Sequence, residues 1–195
     1  MKTGPDTIPL GLETARLYLR APLAETDAHV VNEAIRGSHE ELKRWLPFAQ
    51  DVPTLSETEA NLQRAQELYG TGESFRYLIF LRETGTFVGT VSLFGIDWDV
   101  PKAEIGYWLD STHTGRGYMT EAVEAVVRFG FTQFDFKRIE IRCESTNEGS
   151  RLIPERLGFQ LEGMLRNEDL SADGMRLTDT AVYGLLPGEL RPLAT

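Results

Sequence analysis

The chain has 195 residues, 41% of them apolar and 26% charged, and its 30 acidic against 20 basic side chains give a formal charge of −10. That size and balance fit one globular domain that buries a core without disulfides or metals, and exclude a small stapled scaffold. An acidic chain without clustered Lys and Arg also lacks the footprint of a groove that tracks nucleic-acid phosphates.

No apolar run approaches the roughly 18 residues of a membrane span, and the opening Met1-Lys-Thr-Gly-Pro-Asp6 has no apolar signal stretch. One cysteine, Cys143, and three scattered histidines give no metal-ligand spacing. The expected setting is therefore cytoplasmic, with no metal, no membrane and no nucleic-acid partner.

Residues 1–12 carry Gly4, Pro5, Pro9 and Gly11 without periodicity, and residues 188–195 are rich in turn formers; both ends are expected to be loose around one domain over 13–187. Arg16-Leu-Tyr-Leu-Arg20 alternates, which predicts a first strand with Leu17 and Leu19 inside. Residues 24–70 mix polar and apolar types at helical spacing and are broken by Pro47 and Pro53, so two or three helices are expected. Within them Ser56-x-x-Glu59 has the form of a capping box, and Leu62, Ala65, Leu68 and Tyr69 make one stripe. Trp45 shares helical spacing with Leu42 and Leu46, which places it in the core.

Residues 75–82 and 86–96 read as strands joined by a turn at Glu83-Thr-Gly85, and 103–110 as a third strand. From Tyr118 the period becomes helical, with Met119, Ala122, Val123, Val126, Val127, Gly130 and Phe134 on one face. Arg138-Ile-Glu-Ile-Arg-Cys-Glu144 alternates, turning Ile139, Ile141 and Cys143 inward. A short helix over 149–157 stops at Gly158, and strands over 159–165 and 178–185 complete an α/β domain with a mixed sheet.

The stretch from Gly106 to Glu121 runs from strand through a glycine-rich turn into the strongest helix. Free N–H groups and the positive dipole end at such a helix start favour an anion, and Gly115 and Gly117 allow close approach; a plain tight turn reads equally well. The Lys-Ser/Thr pair of a Walker loop is absent, and Thr120 occupies the third glycine position of a Rossmann fingerprint.

Glu104-Ile-Gly-Tyr-Trp-Leu109, Gly115-Arg-Gly-Tyr-Met-Thr-Glu-Ala122, Arg138-Ile-Glu140, Asn147-x-x-Ser150, Arg156-Leu-Gly-Phe159, Glu162-Gly163 with Leu165-Arg166, and Asp179 follow one another in order. With the opening Ala15-Arg-Leu-Tyr-Leu-Arg20, this series resembles the GNAT superfamily of acetyl-CoA-dependent N-acetyltransferases, most closely its RimJ/RimL-type branch. The resemblance implies a mixed, mostly antiparallel central sheet flanked by helices, with splayed central strands.

It further implies that backbone amides of Gly115, Arg116, Gly117, Tyr118, Met119 and Thr120 hold the pyrophosphate of acetyl-CoA. The strand ending at Trp108 and Leu109 would pair with the pantetheine arm, which Asn147 would also contact. The superfamily's Q/R-x-x-G-x-G/A falls on Thr114, Gly117 and Met119, so only its central glycine is kept. Ser150 would protonate the leaving thiolate, because the tyrosine that many members use is replaced by Pro154. Helix capping explains Asn147 and Ser150 equally well. For the base, Asp169 ranks first and Glu104 second, with Glu168 a further candidate.

A backbone N–H between Ile105 and Tyr107 would polarise the carbonyl. Trp45, Phe48 and the Asp97-Trp98-Asp99 loop are candidate walls for the acceptor. Nine acidic against four basic side chains over 24–70 favour a cationic acceptor. The family-implied acceptor is a protein N-terminal α-amine, as of a ribosomal protein. The alternatives are a small cationic amine such as an aminoglycoside, or a non-catalytic acetyl-CoA-binding module. Dimers are common in the resembled branch, so a homodimer is a further expectation.

Overall fold

The structure is a computed structural model and describes residues 11–193. Alternation buries Leu17 and Leu19 completely in β2 (Leu17–Arg20), which pairs antiparallel with β1 (Gly11–Glu13) and β3 (Phe75–Leu81). β1 lies partly in the segment expected to be loose; three paired residues are too few to leave a periodic signal, and residues 1–10 lie outside the described ones. β3, β4 (Phe87–Asp97) and β5 (Lys102–Leu109) continue as an antiparallel meander, with Gly85 taking the left-handed conformation in the first connection.

Helix α4 (Tyr118–Gln133) carries the chain over to β6 (Arg138–Glu144), which runs parallel to β5. Helix α5 (Glu148–Leu157) follows and stops at Gly158, whose φ of 89° suits glycine. β7 (Gln160–Leu170) and β8 (Leu177–Leu185) then form a hairpin, giving the order β1-β2-β3-β4-β5-β6-β8-β7. β7 reaches five residues past its expected end, so Glu168 and Asp169 lie within the strand.

The sheet separates two cores. On one face the α4 stripe of Met119, Ala122, Val123, Val126 and Val127 is buried with Tyr77, Ile105 and Ile139. Each buried Met, Val or Ile side chain contributes about 1.5–3 kcal/mol over its exposed state. The other face holds α1 (Ala24–Gly37), α2 (His39–Leu42) and α3 (Leu55–Thr71), whose Val31, Ile35 and Leu62 pack with Leu78 and Phe87.

The capping box of α3 is formed by Thr54 and Glu57, not by Ser56 and Glu59. Thr54 is the extended residue after Pro53, with φ −65° and ψ 162°, and Ser56 already lies inside the helix. The end of the chain is docked as far as it is described: the Arg191 N–H bonds to the Leu157 carbonyl, the Leu193 N–H to Glu124, and Leu190 and Leu193 pack on the core.

β5 and β6 pair only from Lys102 to Glu104 against Arg138 to Glu140. Beyond Glu104 the two strands part, and β6 pairs on its other edge with β8 alone. The Asp110 N–H bonds to the Val88 carbonyl. By the two-residue period of an antiparallel ladder, Gly106 and Trp108 turn their peptide groups to β4, and Ile105, Tyr107 and Leu109 turn theirs into the gap. A sheet interior thus carries an open strand edge, which is a template for an extended ligand.

Candidate active site

A cleft of about 650 Å³ fills the gap between the splayed strands and runs to the start of α4. Gly115 and Gly117 are both left-handed, at φ 74° and 78°, and nothing lies within 4 Å of where a Gly115 side chain would begin. No side chain caps α4 at Gly117, so the N–H groups of its first turn stay free for an anion. The loop is braced from β2. The Arg16 Nη1 donates to the Arg116 carbonyl at 3.0 Å, its Nε donates to Glu121 at 2.6 Å, and its guanidinium sits 4.7 Å from the Tyr118 ring centre. Pairing with Arg16 neutralises Glu121 in the first turn and keeps the local field positive.

On the α4 and α5 side of the gap, the Tyr107 hydroxyl donates to the Ser150 carbonyl at 2.9 Å and lies 3.1 Å from Ser150 Oγ. Burial raises the pKa of Tyr107 and so keeps its proton on. Burial also raises that of the Cys143 thiol, which the Ser150 hydroxyl partly offsets by a hydrogen bond. Asn147 caps α5, its Oδ1 accepting the Ser150 N–H at 3.1 Å, and so orients the turn that carries the hydroxyl.

The face of α1–α3 bears the acidic side of the cleft. Glu104, half-buried at the point where β5 and β6 separate, lines both the cleft and a polar cavity of about 470 Å³. Burial raises its pKa, with Arg142 pulling it back and Glu140 and Glu168 adding to the rise. Glu168 is tied to Arg142 at 2.6 Å, which holds its carboxyl below the usual range. Asp169 opens only to the polar cavity. Beside β5 a further cavity of about 570 Å³ lies between the sheet and α1–α3, sharing Gly106, Tyr107 and Trp108 with the cleft.

Every residue expected to hold the cofactor lines the cleft except Arg116, whose side chain is exposed. Ser150 and Glu104 line it as well. Trp45, which helical spacing places in the core, is instead 38% exposed and faces the cleft and the polar cavity. The chain keeps turning after α2, with the Leu46 N–H bonded to the Leu42 carbonyl, so Leu42 and Leu46 take the core side and Trp45 falls on the open side. Phe48 lines the cavity beside β5.

The Asp97–Asp99 loop lies at the opposite end of β5. Trp98 packs 5.4 Å from Phe136, and Asp97 Oδ1 accepts the N–H groups of Asp99 and Val100, which makes the loop a hairpin turn and no acceptor wall. The sequence reading missed the side chains of Tyr107 and Arg76. Period two along β5, which places Tyr107 with Ile105 and Leu109, is the signal for the first. Arg76 gave none, because what its strand faces is set by tertiary packing.

The Acetyltransferase (GNAT) domain family matches residues 16–160. The uncharacterized N-acetyltransferase p20 of Bacillus licheniformis is 34% identical over 181 residues, covering 91% of this chain and 97% of that protein. The ribosomal-protein-serine acetyltransferase of Escherichia coli (strain K12) is 30% identical over 132 residues, covering 68% of this chain and 73% of its own. A solved ribosomal L7/L12 alpha-N-protein acetyltransferase in complex with coenzyme A superposes with a TM-score of 0.82 at 26% identity, covering 92% and 97% of the two chains. The chain belongs to the GNAT family of N-acetyltransferases.

Proposed function

We propose that the chain transfers the acetyl group of acetyl-CoA to the α-amine at a protein N-terminus. The observation that carries this is a cleft passing through the sheet at an open strand edge, with a hydroxyl pair on one face and a half-buried carboxylate on the other. The residues present fit acetyl-CoA: uncapped N–H groups at α4 suit its pyrophosphate, and the free edge of β5 suits the amides of its pantetheine arm. When bound, it supplies a thioester carbonyl for attack and a thiolate that leaves. The ribosomal-protein acetyltransferases among the relatives support a protein acceptor.

Glu104, through water, takes one proton from the incoming ammonium, freeing the nitrogen lone pair. The Tyr107 N–H, turned into the gap, donates to the carbonyl oxygen as the C–N bond forms. Ser150 passes its proton to the sulfur as the C–S bond breaks, and recovers one from the second N–H proton through solvent. Tyr107 Oη positions Ser150. That Glu104 borders the cleft and Asp169 does not supports Glu104 as the base ahead of Asp169.

Thiol release with a panel of N-terminal peptides tests the reading; turnover is expected, and none on any primary amine overturns it. Ser150→Ala is expected to lower kcat by about tenfold to a hundredfold, less than the full range of acid catalysis because a thiolate leaves readily. An unchanged kcat would remove Ser150 as the acid. Arg16→Ala is expected to raise KM for acetyl-CoA about fivefold at constant kcat, the equivalent of one hydrogen bond of about 1 kcal/mol. Initial rates against acetyl-CoA concentration check this.

A further inference from the structure

Arg76 is the second residue of β3 and lines the cavity between the sheet and α1–α3. Its neighbours Phe75 and Tyr77 point to the opposite face and are fully buried in the α4 core. The guanidinium has one hydrogen bond, Nη1 to Asn61 Oδ1 at 2.6 Å, and no ion pair among the described residues. It is the one half-buried arginine there without an ion pair; Arg36, Arg44, Arg116, Arg156, Arg166 and Arg191, also unpaired, are exposed. Burial lowers its pKa and no carboxylate offsets that pull, although Asp51 and Glu57 also line the cavity. Glu57 is engaged by Thr54 at the start of α3.

A guanidinium has five donors, and leaving most of them unmet in a cavity wall is costly unless a ligand meets them. The register places Arg76 opposite Ser92, and Ser92 opposite Gly106 at the strand edge of the cleft. With strands about 4.8 Å apart, Arg76 lies about 10 Å across the sheet from the acetyl-transfer point. An extended peptide advances about 3.3 Å per residue, so such a ligand group belongs two or three residues from the amine.

We propose that Arg76 forms an anion subsite of the acceptor cavity, and that the preferred acceptor is a polypeptide N-terminus carrying an anionic side chain at its third or fourth position. This deepens the N-terminal reading and rests on it for the identity of the amine. It also reverses the preference for a cationic acceptor drawn from charge counts over 24–70. Three of those nine acidic side chains are engaged in ion pairs with Lys or Arg: Asp27 with Arg20, Glu40 with Lys43, and Glu67 with Arg64.

The test uses two sets of free-amine hexapeptides that differ only in Glu or Gln, one at the third and one at the fourth position, with a phosphoserine arm in each to separate carboxylate from phosphate. Calorimetry on protein saturated with coenzyme A reads binding without turnover. Wild type is expected to bind the Glu peptide about tenfold to a hundredfold tighter than the Gln peptide, as for a charge-assisted contact. Arg76→Gln should abolish that ratio, and Arg76→Lys should keep part of it. With acetyl-CoA, Arg76→Gln should raise KM for the Glu peptide alone and leave kcat unchanged.

Equal binding of the Glu and Gln peptides by wild type, with the phosphoserine peptide no better, overturns the subsite, as does a Glu preference that survives in Arg76→Gln. Tight phosphoserine binding that needs Arg76 supports it and assigns a phosphate. A Glu preference without turnover on any peptide supports the subsite and overturns the transfer reading alone.

Discussion

Glu104→Gln is expected to lower kcat by about 10²–10⁴-fold, with KM for acetyl-CoA unchanged, when thiol release is followed at saturating acetyl-CoA. Glu104 is the last β5 residue to pair with β6, so it stands where the strands separate and borders both the cleft and the polar cavity. Burial raises its pKa above the ordinary carboxylate value. A base works deprotonated, so wild-type kcat should climb as pH rises through that raised value and level off above it. The amide introduced by Glu104→Gln accepts no proton, and the same limb should vanish from the variant, leaving a slow rate that follows the fraction of free amine. Asp169→Asn should change kcat by no more than about threefold, since its side chain does not border the cleft. A variant within twofold of wild type at Glu104, or an acid limb that persists in it, would sink this assignment.

The largest effect on stability is expected at Asp27. Its carboxylate is 3% exposed and accepts from Arg20 Nη1 and Nη2 at 2.7 and 2.6 Å, and from the Leu23 N–H at the start of α1. Arg20 in turn lies 4.5 Å from the centre of the Phe80 ring. Asp27→Ala removes one partner of this pair, leaving a desolvated guanidinium and an uncapped helix start. The cost should be about 3–5 kcal/mol, nearer the lower bound because Arg20 keeps some contact with solvent. For a chain of this size a cost of about 3 kcal/mol corresponds to a fall in Tm of about 6–12 °C. Urea unfolding with an unchanged m-value checks it, and a loss under about 1 kcal/mol would show that the pair is not a main support of α1.

Most of the fold was legible because its signals are local. Period two gave the positions of β2 and β6, and period 3.6 gave the α4 stripe from Met119 to Phe134, all of it buried. Gly85 and Gly158 marked a turn and a helix stop through backbone conformations that disfavour other residues. The misreadings arose where local signals competed. Ser56-x-x-Glu59 and Thr54-x-x-Glu57 have the same form, and only the extended backbone after Pro53 selects the second. Trp45 shares its turn with Leu42 and Leu46, and those two take the core side while Trp45 stays open.

By itself, the sequence determined the order of strands and helices from β2 onward, the glycine turn leading into α4, and the family, since these depend on neighbours within a few residues. The tertiary structure decided which groups meet. Pairing of β5 with β6 for only three residues opened the cleft, and packing of α5 on the sheet brought Ser150 to Tyr107. The −10 charge was visible from composition, but its distribution was not. Ion pairs engage Asp27, Glu40 and Glu67, while the cavity wall retains an arginine without an ion pair among the described residues. Contacts between residues far apart in sequence set the local field, and no short window of the chain contains them.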